Sequence, residues 1–207
     1  KRSGRGSVQS YDSKLLVEQE RRLAINQALR QALSANELFL EYQPVVSAKT
    51  GDITAYEVLL RWESAELGRV APDEFIPIAE ESALIVDIGE WVMREACKTI
   101  LDWSGFAGGP KIAVNVSVRQ IVVPRFARMV ENLLLETGLP ANRLTIEVTE
   151  SIFDIRRTQL ISEVLSDLHD QGVEVHIDDF GTGYSSLSRL HQIRVDAVKI
   201  DKSFILK

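Results

Sequence analysis

Asp178 and Asp179 stand side by side where the apolar stretch 173–177 gives way to the glycine-bearing run 181–183. Two adjacent carboxylates at a strand end raise each other's pKa and destabilise the fold unless their charge is offset. Other apolar runs carry comparable groups: Glu57 in TAYEVLLRW, Asn115 in KIAVNVS, Glu147 in RLTIEVTE and Lys199 in DAVKID. Carboxylates with an amide oxygen form an all-oxygen donor set, suited to Mg²⁺ or Mn²⁺ and unlike a structural zinc site. Arg61 and Lys199 can supply part of the compensating charge. Ion pairs and hydrogen bonds alone are the other arrangement that these residues allow.

The elements that must position these groups alternate along the chain. A polar opening over 1–13 reads as a linker. The pattern then turns helical over 14–35, with Leu16, Leu23, Leu29 and Leu33 among its apolar positions. Six strands are predicted in LFLEYQPVV, TAYEVLLRW, KIAVNVS, RLTIEVTE, VEVHIDDF and DAVKID. A long amphipathic helix runs through SALIVDIGEWVMREACKTILDW, with Ile85, Ile88, Val92, Ala96 and Ile100 on one stripe. Helices also follow around 126–135, over TQLISEVLSDLHDQG up to Gly172, and over 184–193. Repeated βα units imply an α/β fold with a parallel sheet, either open or closed.

Strand side chains alternate between faces, and parity separates two sets. Val58, Val114, Ile146, Ile177 and Val198 fall on apolar faces, as do Leu40 and Tyr42. Glu41, Gln43, Glu57, Leu59, Arg61, Asn115, Glu147, His176, Asp178 and Lys199 fall on the opposite ones. Helices on both sides of an open sheet would leave such a polar face hard to satisfy. In a closed barrel it points to the axis, where the mouth is wet. A TIM-type (β/α) barrel is therefore expected, with the polar groups near the C-terminal strand ends, where barrel active sites sit.

Composition narrows the chemistry. The 207 residues are 45% hydrophobic and 26% charged, ordinary for a soluble globular chain. Net charge is −6, which disfavours non-specific binding to a nucleic-acid polymer and requires local cations for any anionic substrate. Cys97 is alone, so no internal disulfide is possible and a reducing compartment fits. No apolar run reaches the length of a membrane span. A cytoplasmic location without membrane contact is expected for this chain, although a larger parent protein can be anchored through another region.

Six motifs then occur in a specific order: YQP at 42–44, EVLLRW at 57–62, NVS at 115–117, EVTES at 147–151, DDFGTGYSSL at 178–187 and KIDKSF at 199–204. Together they resemble the EAL-domain cyclic di-GMP phosphodiesterases, over a stretch from about Leu38 to the end. The opening KRSGRGSVQSYD also resembles the tail of a GGDEF domain, as in a tandem GGDEF–EAL protein. The resemblance implies metal-dependent hydrolysis of cyclic di-GMP to linear pGpG in bacterial second-messenger signalling, with a two-metal site of Mg²⁺ or Mn²⁺. Glu57, Asn115, Glu147 and Asp178 match metal ligands, and Asp179 matches a ligand of the second metal. Lys199 matches the lysine that contacts the attacking water or the phosphate. Glu150 matches the glutamate that steadies the loop after the fifth strand. Gln43, Leu59 and Arg61 match substrate contacts, Arg61 by a charge-assisted bond to phosphate. The family also allows a homodimer through that loop.

Two departures stand out. Val58 replaces the usual motif alanine, and parity points it toward the helix layer. About six of the family's eight strands are present, so the expectation is an EAL domain over 14–207 without its C-terminal part, weakly active or inactive alone. A non-catalytic receptor for cyclic di-GMP or for a partner protein is the alternative function, and a Schiff-base lyase using Lys199 a distant third. Bland roles are expected elsewhere. His176 and His169 read as packing residues, His191 as helix surface and Cys97 as core. Trp62, Trp91 and Trp103 read as packing anchors, and Gly181 and Gly183 as flexible loop positions.

Overall fold

The computed structural model describes residues 13–104, 109–154, 158–181 and 193–204. The polar opening, nearly all of the helix expected over 184–193, Gly183 and His191 lie outside the described residues. Helix α1 (Ser13–Ala32) leads into a hairpin of β1 (Leu38–Val46) and β2 (Ile53–Ser64), followed by a short β3 (Gly68–Val70). Helices α2 (Pro72–Glu81) and α3 (Leu84–Ser104) precede β4 (Lys111–Asn115). Then come α4 (Val118–Ile121), α5 (Phe126–Thr137), β5 (Leu144–Thr149), α6 (Thr158–Asp170), β6 (Glu174–Phe180) and β7 (Ala197–Ile200). No described helix is long and apolar enough to cross a membrane.

The sheet runs β1-β2-β4-β5-β6-β7, with β3 paired on β2. Strands β2, β4, β5, β6 and β7 are parallel, as expected of βα repeats. The first strand corrects the all-parallel expectation, because β1 pairs antiparallel with β2. The connection between them, residues 47–52, is too short for the crossover that a parallel pair needs. All six predicted strands are present, and β3 is an addition.

Parity holds on β2, β4, β5 and β6: Val58, Ile112, Val114, Ile146, Val148, Val175 and Ile177 are buried beneath the helices. On β7 the expected apolar face is not buried, with Val198 and Ile200 exposed. The predicted stripe of α3 is buried throughout, from Ile85 to Ile100. Trp62 is fully buried edge-on against Phe75 of α2, with ring centroids 5.5 Å apart. Its indole N–H donates to Glu37 Oε2 at 3.0 Å, and the Ala65 amide donates to Glu37 Oε1. Those two bonds hold the Glu37 carboxyl below the usual range, the Ala65 amide contributing most. Burying an aromatic side chain of this kind contributes about 1.5–3 kcal/mol, so Trp62 pins β2 to the helix layer.

The helix expected over 14–35 is present as α1, with Ile25, Leu29 and Ala32 buried and Leu16 and Leu23 exposed. Two expectations are corrected. Trp103 is 53% exposed and stacks edge-on against Tyr42 and Tyr56. Gly181 is held tightly, with φ of +102° and the Phe204 ring 2.5 Å from where a Cβ would sit. The positive φ is what calls for glycine there.

Candidate active site

Parallel strands place their C-terminal ends at one edge, and the polar face of each delivers one group to it. The register fixes the neighbours. Glu57 of β2 lies beside Ala113, two residues before Asn115, and Asn115 of β4 lies beside Glu147 of β5. Carboxylate oxygens of Glu57, Glu147 and Asp178 lie within 4.8 Å of one another. The Lys199 ammonium sits among them, 2.8 Å from Glu147 Oε2, 2.9 Å from Glu57 Oε2 and 3.3 Å from Asp178 Oδ2. Asn115 Nδ2 donates to Glu57 Oε1 at 3.1 Å, which leaves the amide oxygen for another partner.

These contacts explain the electrostatics. Glu147 is 3% exposed, and burial pushes its carboxyl up to about 7. Lys199 pulls the other way, through a hydrogen bond and charge, while Glu57 and Asp178 add to the rise. Burial opposes the charge on Lys199, but its bonds to Glu147 and Glu57 outweigh this and raise it. Glu147 and Lys199 thus share charge, and Glu57 and Asp178 stand around the same ammonium.

The adjacent aspartates have a specific cause. The β6·β7 register shifts between Ile177 and Phe180, and Asp179 adopts a left-handed φ of +52°. A bulge places two consecutive residues opposite a single stretch of the partner strand and re-aims a side chain. Strand alternation would send Asp179 away from the mouth, yet both aspartates line one cavity of about 840 Å³ with Asn115 and Glu147. The Asp179 amide donates to Asp178 Oδ1 at 2.9 Å, which steadies the turn. Burial first, and the charge of Asp178 next, hold the Asp179 carboxyl above its ordinary range. A non-glycine residue in the left-handed region costs about 1–2 kcal/mol, a cost that the surrounding structure must carry.

The remaining expected residues divide. Glu150, 4% exposed, accepts from the Gly181 amide at 2.7 Å and so ties the start of the loop after β6 to the end of β5. Leu59 lines the cavity. Gln43 lies on β1 opposite Glu57. Arg61 does not share in neutralising the cluster: its Nε donates to Glu41 Oε2 at 2.7 Å and its Nη1 to the Leu60 carbonyl at 2.9 Å. Val58 is buried and lines the apolar side of the cavity, between the strands and α2 and α3. His176 Nε2 lies 3.5 Å from Glu174, and burial lowers its pKa, which suits a packing role. Cys97 is buried, and burial pushes its thiol up to about 12.

Sequence reasoning missed two features of the rim. Arg69 of β3 reaches Glu41 Oε1 at 3.3 Å. Ser117 caps α4 in a capping box with Gln120, whose side chain fills the space over Gly89 of α3. The S-x-x-Q spacing at 117–120 was the available signal for that cap.

Known proteins resemble the chain in sequence and in fold. Residues 26–207 match the family model described as EAL domain. The bifunctional diguanylate cyclase/cyclic di-GMP phosphodiesterase MucR of Pseudomonas aeruginosa is 40% identical over 206 residues, covering 99% of this chain and 30% of that protein. An uncharacterized protein, y4lL of Sinorhizobium fredii, is 42% identical over 99% of this chain and 24% of its own length. The chain thus spans a third or less of the curated relatives named here. Among solved structures, the PaMucR phosphodiesterase in complex with c-di-GMP superposes with a TM-score of 0.80 and 42% identity, covering 88% of this chain and 74% of that one. The fold is therefore the TIM-type (β/α) barrel of these proteins, present here in part.

Proposed function

The chain belongs to the EAL domain family, and from that membership we propose that it takes part in metal-dependent hydrolysis of cyclic di-GMP to linear pGpG. The observation that carries the reading is the convergence of Glu57, Glu147 and Asp178 on one point at the C-terminal strand ends. The donor set fits a hard divalent cation, since all of its atoms are oxygens. The Lys199 ammonium at 2.8–3.3 Å from three carboxylates supports the fit, because it stands where these groups already favour positive charge.

Glu57, Asn115, Glu147 and Asp178 would hold a first Mg²⁺ or Mn²⁺, and Asp179 a second. Bound metal would lower the pKa of a water and neutralise phosphoryl oxygens in an in-line displacement. The protein's own residues do the rest. Lys199 meets the anionic phosphate or the attacking water from the floor of the cluster. Glu150 holds the Gly181 amide and with it the edge of the mouth. Gln43, Leu59 and Arg61 seat the substrate, Arg61 through charge-assisted bonds to phosphate. A homodimer through the loop after β6 is part of the same proposal.

The test is turnover of cyclic di-GMP by the protein with Mn²⁺ or Mg²⁺, before and after chelation. Formation of pGpG that disappears with the metal supports the reading. Tight binding of cyclic di-GMP with no turnover in any metal would replace it with the receptor function.

A further inference from the structure

Arg61 is held by a residue to which no role is assigned. Glu41 of β1 lies on the same inner face as Gln43, opposite Leu59 in the β1·β2 register. Its Oε2 accepts from Arg61 Nε at 2.7 Å and its Oε1 from Arg69 at 3.3 Å. The Arg61 side chain is only 19% exposed, whereas that of Arg69 is 65% exposed. Nη1 of Arg61 is spent on the Leu60 carbonyl. That leaves three of the five N–H bonds, both of those on Nη2 and one on Nη1, without a protein acceptor among the described residues.

We propose that Glu41 is a positioning residue for Arg61: it fixes the guanidinium so that its remaining edge is presented to a phosphate at the mouth. The proposal rests on the reading of Arg61 as a phosphate contact. A guanidinium binds in a rigid fork, so locking Nε and Nη1 defines where Nη2 points. Fixing it in advance also removes an ordering cost from ligand binding. Two guanidiniums, Arg61 and Arg69, share the Glu41 carboxylate.

The test is steady-state hydrolysis of cyclic di-GMP with Mn²⁺ by the full protein and by its Glu41→Gln, Arg61→Ala and doubly substituted forms. Glu41→Gln is expected to raise KM about fivefold to tenfold and to leave kcat within about twofold, the pattern of a lost binding contribution. In the Arg61→Ala background the same change is expected to add nothing, since it acts through Arg61. An equal rise in KM in both backgrounds, or none in the first, overturns the proposal. A substrate-free readout separates it from the functional reading. The Arg61 Nε–H NMR signal is expected to be exchange-protected in the wild type and to lose that protection in Glu41→Gln. An unchanged signal overturns the clamp whether or not cyclic di-GMP is hydrolysed. Failure of the wild type to act on cyclic di-GMP overturns the function while the signal still decides the clamp.

Discussion

The inner face of the sheet carries acids and a lysine at both ends of its strands, and the two ends are built differently. At the N-terminal end, Lys111 of β4 pairs with Glu174 of β6, and His176 lies 3.5 Å from the same carboxylate. Burial lowers the pKa of that histidine, so one ammonium meets one carboxylate. At the C-terminal end, one ammonium, Lys199, meets three carboxylates, with Asp179 beside them. The first end is a closed ion pair. The second gathers three carboxylates around one ammonium, and burial answers part of that excess by pushing the Glu147 carboxyl up to about 7. On the proposed function, this imbalance distinguishes the metal-binding end from the other.

Substitutions at the two ends are expected to separate function from stability. The largest effect is Glu147→Gln, which keeps the shape but removes a buried charge. Turnover of cyclic di-GMP is expected to fall by about 10³-fold or more, as for loss of a metal ligand, with the far-UV circular dichroism unchanged. Lys199→Met is next. Without metal it leaves three carboxylates uncompensated and is expected to cost about 2 kcal/mol in urea unfolding, discounted for partial exposure. Added Mg²⁺ is expected to restore more stability to this variant than to the wild type.

Smaller effects sharpen the contrast. Gly89→Ala puts a Cβ 1.9 Å from Gln120 Nε2, which must leave the capping box of α4. Thermal unfolding is expected to report a loss of about 1–2 kcal/mol, and KM a modest rise, because Ser117 and Gln120 line the cavity. Glu174→Gln at the closed end is expected to cost about 1 kcal/mol or less, since both partners are partly exposed, and to leave kcat within about twofold. A loss of turnover from Glu174→Gln comparable to that from Glu147→Gln would erase the distinction between the two ends.

Much of this was legible before the structure. Period-two alternation assigned Glu57, Asn115, Glu147, Asp178 and Lys199 to one face, because parity needs only strand identity. Which groups touch within that face depends on register, and sequence carries register weakly. Arg61 is therefore expected to share in offsetting the acidic cluster, whereas in the structure its guanidinium pairs with Glu41. The register shift at the two aspartates and the positive φ at Asp179 are not encoded by any alternation pattern. Helix α2 escaped notice because Pro77 lies inside it, and proline reads as a helix breaker. The buried stripe of Phe75, Ile78 and Ala79 keeps it in place. On α1 the pattern showed the helix but not its buried face, since apolar residues at helical spacing need a neighbour before they become core.

The most direct test of the charge imbalance is calorimetric titration of Mn²⁺ into the protein and into Glu147→Gln and Glu174→Gln, with cyclic di-GMP turnover measured on the same samples. Saturable metal binding is expected in the wild type and in Glu174→Gln, with turnover following it, and both are expected to be lost in Glu147→Gln. Equal metal binding by all three proteins, or turnover that survives in Glu147→Gln, would contradict the assignment of the metal to the carboxylate-rich end.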